Sequence, residues 1–222
     1  MQLAFLEADK VSFAYDGKTE IISGLDASIG CRGFTAVMGP NGSGKTTIGK
    51  LMMGILKPSS GRVFIEGDDT RDLSLSQAGS KIGYLFQNPQ FQIFSQNVMD
   101  ELVFIPRLKG GDESSLKRKA IRLIRLLHLE DKKDMPVFNL SYGEKQRLAI
   151  AGILACGPRY LILDEPTTGL DMVRKDMLIS ILKKLLDEGM GMTVITHDRR
   201  FVNNFSGRLL NMREGRIAET VI

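Results

Sequence analysis

Cysteine is nearly absent from this 222-residue chain: Cys31 and Cys156 are too few for a disulfide framework, so the fold must rest on a buried core. Charge of one sign is equally scarce. Thirty Lys and Arg against 26 Asp and Glu leave a net charge of +4, too small a surplus to imply a polyanion partner by itself. Long hydrophobic runs are missing too. The most apolar stretch, AIAGILACGPRYLIL from Ala149, is broken by Gly157, Pro158 and Arg159, short of the roughly 18 residues a membrane-spanning helix needs. Any membrane role would be exercised from outside the bilayer. The opening MQLAFLEADK has no basic region followed by a long apolar one, so no secretory signal is expected, and a reducing cytoplasm is the expected compartment. Internal repeats and low-complexity tracts do not occur. What is there is ordinary for a soluble globular domain: 43% apolar and 25% charged residues, enough for one or two units at about 150 residues each.

LAFLEADKVSFAY and IISGLDASI alternate as short strands around the turn signal Asp16-Gly17, so an antiparallel β layer is expected first. From Phe34 the run FTAVM meets the glycine-rich GPNGSGKTT and continues as IGKLMMGILK with helical spacing, which Pro58 is expected to stop. Strands GRVFIEG (61–67) and KIGYLFQ (81–87) follow. The composition then shifts. ESSLKRKAIRLIRLLHLE, from Glu113, puts Leu116, Ala120, Leu123, Ile124 and Leu127 on one helical face and Lys117, Arg118, Arg122 and Arg125 elsewhere, with His128 on a helix face; the basic residues read as a solvated face. RYLILDE, a helix over MVRKDMLISILKKLLDEG, the strand MTVITH and a hairpin at Glu214-Gly215 complete an alternation that predicts an α/β fold with a largely parallel sheet and a helical lobe, about 89–157, inserted in it.

Gly39-Pro40-Asn41-Gly42-Ser43-Gly44-Lys45-Thr46 matches G-x-x-x-x-G-K-[ST] between a strand and a helix, the context a phosphate loop requires. Glycines let successive amides and the helix N-terminus face an anion. Lys45 would hold the β- and γ-phosphates, and the Thr46 hydroxyl, followed by Thr47, would complete Mg²⁺ coordination. The alternative is a glycine-rich turn without ligand. Leu161-Ile162-Leu163-Asp164 supplies an acidic residue at a buried strand end as the second metal contact, and Glu165 follows as a base for a water attacking the γ-phosphate; an exposed Asp-Glu turn is the plainer reading of that pair alone.

Between these halves stands Leu140-Ser141-Tyr142-Gly143-Glu144-Lys145-Gln146-Arg147, with Asp164 23 residues after Ser141. Together with GPNGSGKTT, LILDEPTTGLD and VITHD, it resembles the nucleotide-binding subunit of an ATP-binding cassette (ABC) transporter over essentially the whole chain. The resemblance implies a P-loop NTPase core, ATP and Mg²⁺ as cofactors, ATPase activity, and a head-to-tail dimer with a second cassette, each ATP lying between the phosphate loop of one subunit and the signature of the other. Ser141 and Gly143 would touch the partner's γ-phosphate, with Tyr142 and Glu144 beside them and a helix beginning near Glu144; the same Ser141 and Glu144 also read as a helix capping box. By the same resemblance His197 would contact the γ-phosphate, Asp171 would reach across the dimer or simply cap a helix, Gln87 would link the metal site to the helical lobe, and Tyr15 would stack on adenine or be an ordinary strand residue.

The segment Phe86-Gln87-Asn88-Pro89-Gln90-Phe91-Gln92-Ile93-Phe94, with Val98-Met99-Asp100-Glu101-Leu102-Val103-Phe104 and AIAGILA, is similar to energy-coupling factor ATPases. That group implies a peripheral subunit at the cytoplasmic face of the membrane. Its partners would be a transmembrane scaffold protein and a small membrane protein that captures a vitamin or a transition-metal ion; no nucleic acid is expected. A conventional importer or exporter cassette is the alternative, and a soluble non-transport cassette, usually doubled or carrying a long insertion, fits less well. Tyr142 and Glu144 depart from the common glycine and glutamine of the signature, which puts the partner's ATP site in question. Relatives often continue past the terminal hairpin into a dimerisation region, so dimerisation is expected to lean on ATP and the membrane partner.

Overall fold

The computed structural model describes residues 4–221. Alternating apolar side chains pair β1 (Leu6–Phe13) with β2 (Ile22–Ile29) antiparallel, Leu6 opposite Ile29 and Phe13 opposite Ile22. Asp16 closes the connection by accepting from the amides of Lys18 and Thr19 at 2.9 and 2.8 Å. Next, β3 (Gly33–Met38), buried from Phe34 onward, feeds the phosphate loop and α1 (Lys45–Met52). That helix is shorter than its apolar periodicity predicts. Gly54, at φ 76°, lets its own amide and that of Ile55 bond back to the carbonyls of Leu51 and Lys50, both at 2.9 Å, so a glycine stop acts before Pro58 is reached.

Then β4 (Ser60–Ile65) and β5 (Asp68–Asp69) complete a four-stranded antiparallel sheet, ordered β2-β1-β4-β5. After α2 (Leu75–Lys81) and β6 (Ile82–Leu85) come three helices: α3 (Val98–Leu108), α4 (Glu113–Leu126) and α5 (Tyr142–Ala155). On α4, Ala120, Leu123 and Ile124 are buried as expected, and Leu127 caps it. His128 is not on a helix face: it lies past the helix end at φ 53°. The signature helix α5 starts two residues earlier than Glu144, because Ser141 caps it.

The chain ends in β7 (Tyr160–Asp164), α6 (Met172–Asp187), β8 (Gly191–Ile195), α7 (Arg199–Val202), β9 (Gly207–Arg213) and β10 (Arg216–Val221). With β3 and β6 these strands form a six-stranded sheet, β10-β9-β3-β8-β7-β6, parallel from β9 to β6, with β10 returning antiparallel through Glu214 and Gly215, both at positive φ. Successive residues of its strands feed opposite cores. Leu161, Leu163, Met192 and Val194 pack toward α3 to α6, whereas Tyr160, Ile162 and Ile195 pack toward α1 and the antiparallel sheet. Register then positions the site: Val37 and Asp164 both pair with Ile195, so β3, β7 and β8 end at one level. Ligands of open parallel sheets bind at such carboxyl ends, where strand order reverses.

Candidate functional site

The loop after β3 turns on Gly44, the α1 N-cap, at φ 97°. A Cβ there would fall 2.9 Å from side-chain atoms of Ile22 and Met212, so both conformation and space demand glycine. Lys45 is buried and donates to the carbonyls of Gly39 and Pro40 at 2.9 Å each, which holds the loop in a curl. Beside it the Ser43 hydroxyl is buried without a hydrogen-bond partner, an orphan donor that an anion in the loop would satisfy. Asn41, Gly42, Gly44, Lys45, Thr46, Thr47, Gln87 and Glu165, with Ile21, line a cleft of about 380 Å³.

Asp164, at 1% exposure, is bonded to the lining residue Thr46 and precedes the lining residue Glu165. Thr46 donates to its Oδ1 at 3.1 Å and Tyr84 to its Oδ2 at 3.2 Å. Burial pushes its pKa up, partly opposed by those two donors, and the charge of Glu165 pushes it further. Tyr84 is pushed up as well, by burial first and then by Asp164, and stays a donor. One carboxylate beside a hydroxyl suits Mg²⁺, which keeps waters and phosphate oxygens as ligands and needs no all-protein cage. Among the described residues no group of three or more His, Cys, Asp or Glu gathers as a metal cage.

Glu165 is held from three sides. Its amide donates to the Ile195 carbonyl at 2.7 Å, Thr196 donates to Oε2 at 3.1 Å, and Oε1 lies 2.9 Å from His197 Nδ1. Its backbone sits at φ 50°, a left-handed conformation costly for a non-glycine residue, here fixed by the end of β8. An acceptor with both oxygens anchored is what aiming a water requires. His197 itself is largely exposed.

Tyr15 lies beyond β1, so it is not a strand residue; it is exposed, meets Phe13 edge-on at 4.9 Å, and its hydroxyl lies 3.3 Å from Thr47 Oγ1. Ser141 and Glu144 form the full capping box: Ser141 Oγ accepts from the Glu144 amide at 3.4 Å, and Glu144 Oε2 accepts from the Ser141 amide at 2.7 Å. Asp171 caps α6 by accepting from the Arg174 amide at 2.8 Å. Gly143 is buried, and a Cβ there would fall 2.9 Å from Arg174 Cδ. The structure thus gathers Lys45, Thr46, Thr47, Gln87, Asp164, Glu165, His197 and Tyr15 around one cleft, while Ser141, Tyr142, Gly143, Glu144 and Asp171 stand at two helix starts outside its lining.

The sequence alone gives no individual role to Tyr84 and Thr196, or to Gln92 and Glu101, which it shows only as members of the segments similar to energy-coupling factor ATPases. The first two are polar residues on otherwise apolar strands or their ends, which is their signal. Gln92 accepts from the Phe86 amide at 2.8 Å and donates to the Tyr84 carbonyl at 2.7 Å, and the buried Glu101 accepts from the amides of Phe94 and Ser95 at 2.9 and 2.8 Å.

Residues 22–168 match the family model described as ABC transporter. The chain belongs to that family. This ABC ATPase is 40% identical to a protein of Pyrococcus abyssi provisionally named as an ABC transporter ATP-binding protein, over 96% of this chain and 81% of that one. It is 37% identical to a similarly named protein of Caldanaerobacter subterraneus subsp. tengcongensis over 96% of this chain, but spans only 37% of that protein's length. Among solved structures it superposes on CbiO1 of Clostridium perfringens, part of the ABC transporter complex CbiONQ, with TM-score 0.89 and 32% identity, covering 97% of this chain and 87% of that one. It also superposes on the cassette MJ0796, a dimer in a post-hydrolysis state bound to ADP and Pi, with TM-score 0.86 and 27% identity, over 97% and 98% of the two chains. The fold is that of P-loop NTPases, and the activity of the ABC family is ATP hydrolysis with Mg²⁺.

Proposed function

We propose that this ABC ATPase powers an energy-coupling factor-type membrane importer for a vitamin or a transition-metal ion. It works peripherally at the cytoplasmic face of the membrane, with a second cassette, a transmembrane scaffold and a small substrate-capturing membrane protein. Among the described residues no helix is long and apolar enough to cross a membrane. The observation that carries the reading is the segment after the cleft residue Gln87: clamped by Gln92 and Glu101, it holds Phe91 at 77% and Phe94 at 71% exposure. Exposed aromatics on an internally fixed loop suit a partner surface. The likeness to CbiO1 supports the same branch.

In this reading the loop from Gly39 to Thr47 cradles the phosphates, with Asn41, Gly42 and Gly44 offering backbone and Lys45 offering charge, while Tyr15 takes the base. Thr46, Asp164 and Gln87 are the residues that would hold Mg²⁺, which when bound neutralises charge on the β- and γ-phosphates. Glu165 orients and deprotonates the attacking water, and His197 and Thr196 keep its carboxylate aimed. Ser141 and Gly143 face the γ-phosphate in the partner's site, and Asp171 approaches the same boundary.

Glu165→Gln is expected to keep ATP binding and lower turnover about 10²- to 10⁴-fold in the assembled transporter, measured as phosphate release. Unchanged turnover removes Glu165 as the base. The branch is tested by a gentle detergent pull-down from native membranes. A shared scaffold with a small capture protein supports it; a dedicated permease assigns the chain to a conventional ABC transporter instead.

A further inference from the structure

Tyr142 is one of the two residues by which this signature departs from its family's pattern, and its ring does not stand free. The hydroxyl donates to the backbone carbonyl of Gln87 at 3.1 Å, across 55 residues of chain. The ring lies over Gly169: a Cβ at that position would be 3.3 Å from Tyr142 Cε1. Gln87 lines the phosphate cleft, so the phenol touches the backbone of a residue that belongs to this chain's own nucleotide site. Tyr142 is also the first residue of α5, directly after the cap Ser141 and before Gly143. The rest of α5 is a stiff lever, with Leu148, Ala149 and Ile150 buried and the Gln146 side chain donating from Nε2 to the Pro166 carbonyl.

We propose that Tyr142 is a positioning residue that couples this chain's own phosphate cleft, through the Gln87 carbonyl, to the signature turn at Ser141 and Gly143. The proposal rests on the ATPase reading above and adds a route within one chain. A shift of the 86–88 backbone when the Gln87 side chain engages a ligand is passed through one hydrogen bond to the N-terminus of α5. Glycine at 142 would break that route, leaving the two segments to move independently. The other departure, Glu144, is already used by the cap and by Lys132 at 3.7 Å, so it leaves the coupling to Tyr142.

The test compares the wild-type full chain with Tyr142→Phe, which keeps the ring over Gly169 and removes only the donor, and with Tyr142→Gly. The probe is the non-hydrolysable analogue AMP-PNP with Mg²⁺, at a protein concentration where light scattering shows a monomer; amide hydrogen exchange of residues 140–146 and the Kd are both measured. In the wild type AMP-PNP changes exchange over 140–146. In Tyr142→Phe that change shrinks roughly fivefold, the worth of one neutral hydrogen bond, while the Kd at this chain's own loop stays within about twofold and nucleotide-free exchange is unaltered. Tyr142→Gly loses at least as much. A full-size change in Tyr142→Phe overturns the latch, and so does a wild type that binds AMP-PNP without any change over 140–146. A wild type that fails to bind AMP-PNP overturns the ATPase reading and the latch with it.

Discussion

Asp164 carries a conflict between burial and charge that belongs to the single residue. The fold raises its pKa above the ordinary 3.8, so the folded state holds the proton more tightly than the unfolded chain does. Stability therefore falls as pH rises from that ordinary value through the raised folded one, and the penalty is complete above it. Asp164→Asn is expected to melt at or above the wild-type temperature at pH 7 without nucleotide. The gap should close as pH falls toward 3.8, followed by thermal melts across pH. With ATP present the same variant should lose Mg²⁺ affinity by more than about tenfold, the cost of removing even an outer-shell partner of a metal. Of this site, Lys45, Thr46 and Asp164 were legible because their chemistry is spelled in consecutive residues. Tyr84 and Thr196 were not: each acts on a carboxylate 80 or 31 residues away, and only strand register brings them there.

Single elements show how local rules compete. The amphipathic α4 and the apolar strands were legible from period alone, whereas α2 buries only Ala78 and has no apolar face to read, although its capping box of Ser74 and Gln77 was a usable sign. The run from Val98 forms a helix with Pro106 inside it, and its signal in the sequence is Asn97, whose side chain caps the Asp100 amide. Among the described residues strand β6 pairs only with β7, and Gln92 covers its open side by giving the Tyr84 carbonyl and Phe86 amide what a further strand would give. Gln92→Ala should cost about 1–3 kcal/mol. It should also speed exchange of the Phe86 amide, read by heteronuclear NMR; an unchanged Phe86 amide would show the clamp to be dispensable.

At the scale of the whole molecule, the catalytic side and the signature side stand on separate elements of one chain, which makes the second copy or second cassette necessary for a complete site in the proposed mechanism. Glu165→Gln with ATP and Mg²⁺ is expected to shift the chain from monomer to dimer in light scattering, and Lys45→Ala, lacking the charge at the loop, to stay monomeric under the same conditions. The fold class was legible because β/α alternation is a property of the whole pattern; the order of strands was not, since no local rule states that β3 lies between β8 and β9.

That order has a consequence for biosynthesis. The phosphate loop is made before its flanking strands, Gly191–Ile195 and Gly207–Arg213, which follow it by about 150 residues of chain, and Met212 from the latter lies against Gly44. A ribosome that has made the chain as far as residue 190 holds the phosphate-loop motif without the two strands that flank it, so capture of ATP by the nascent chain must wait until these strands have emerged.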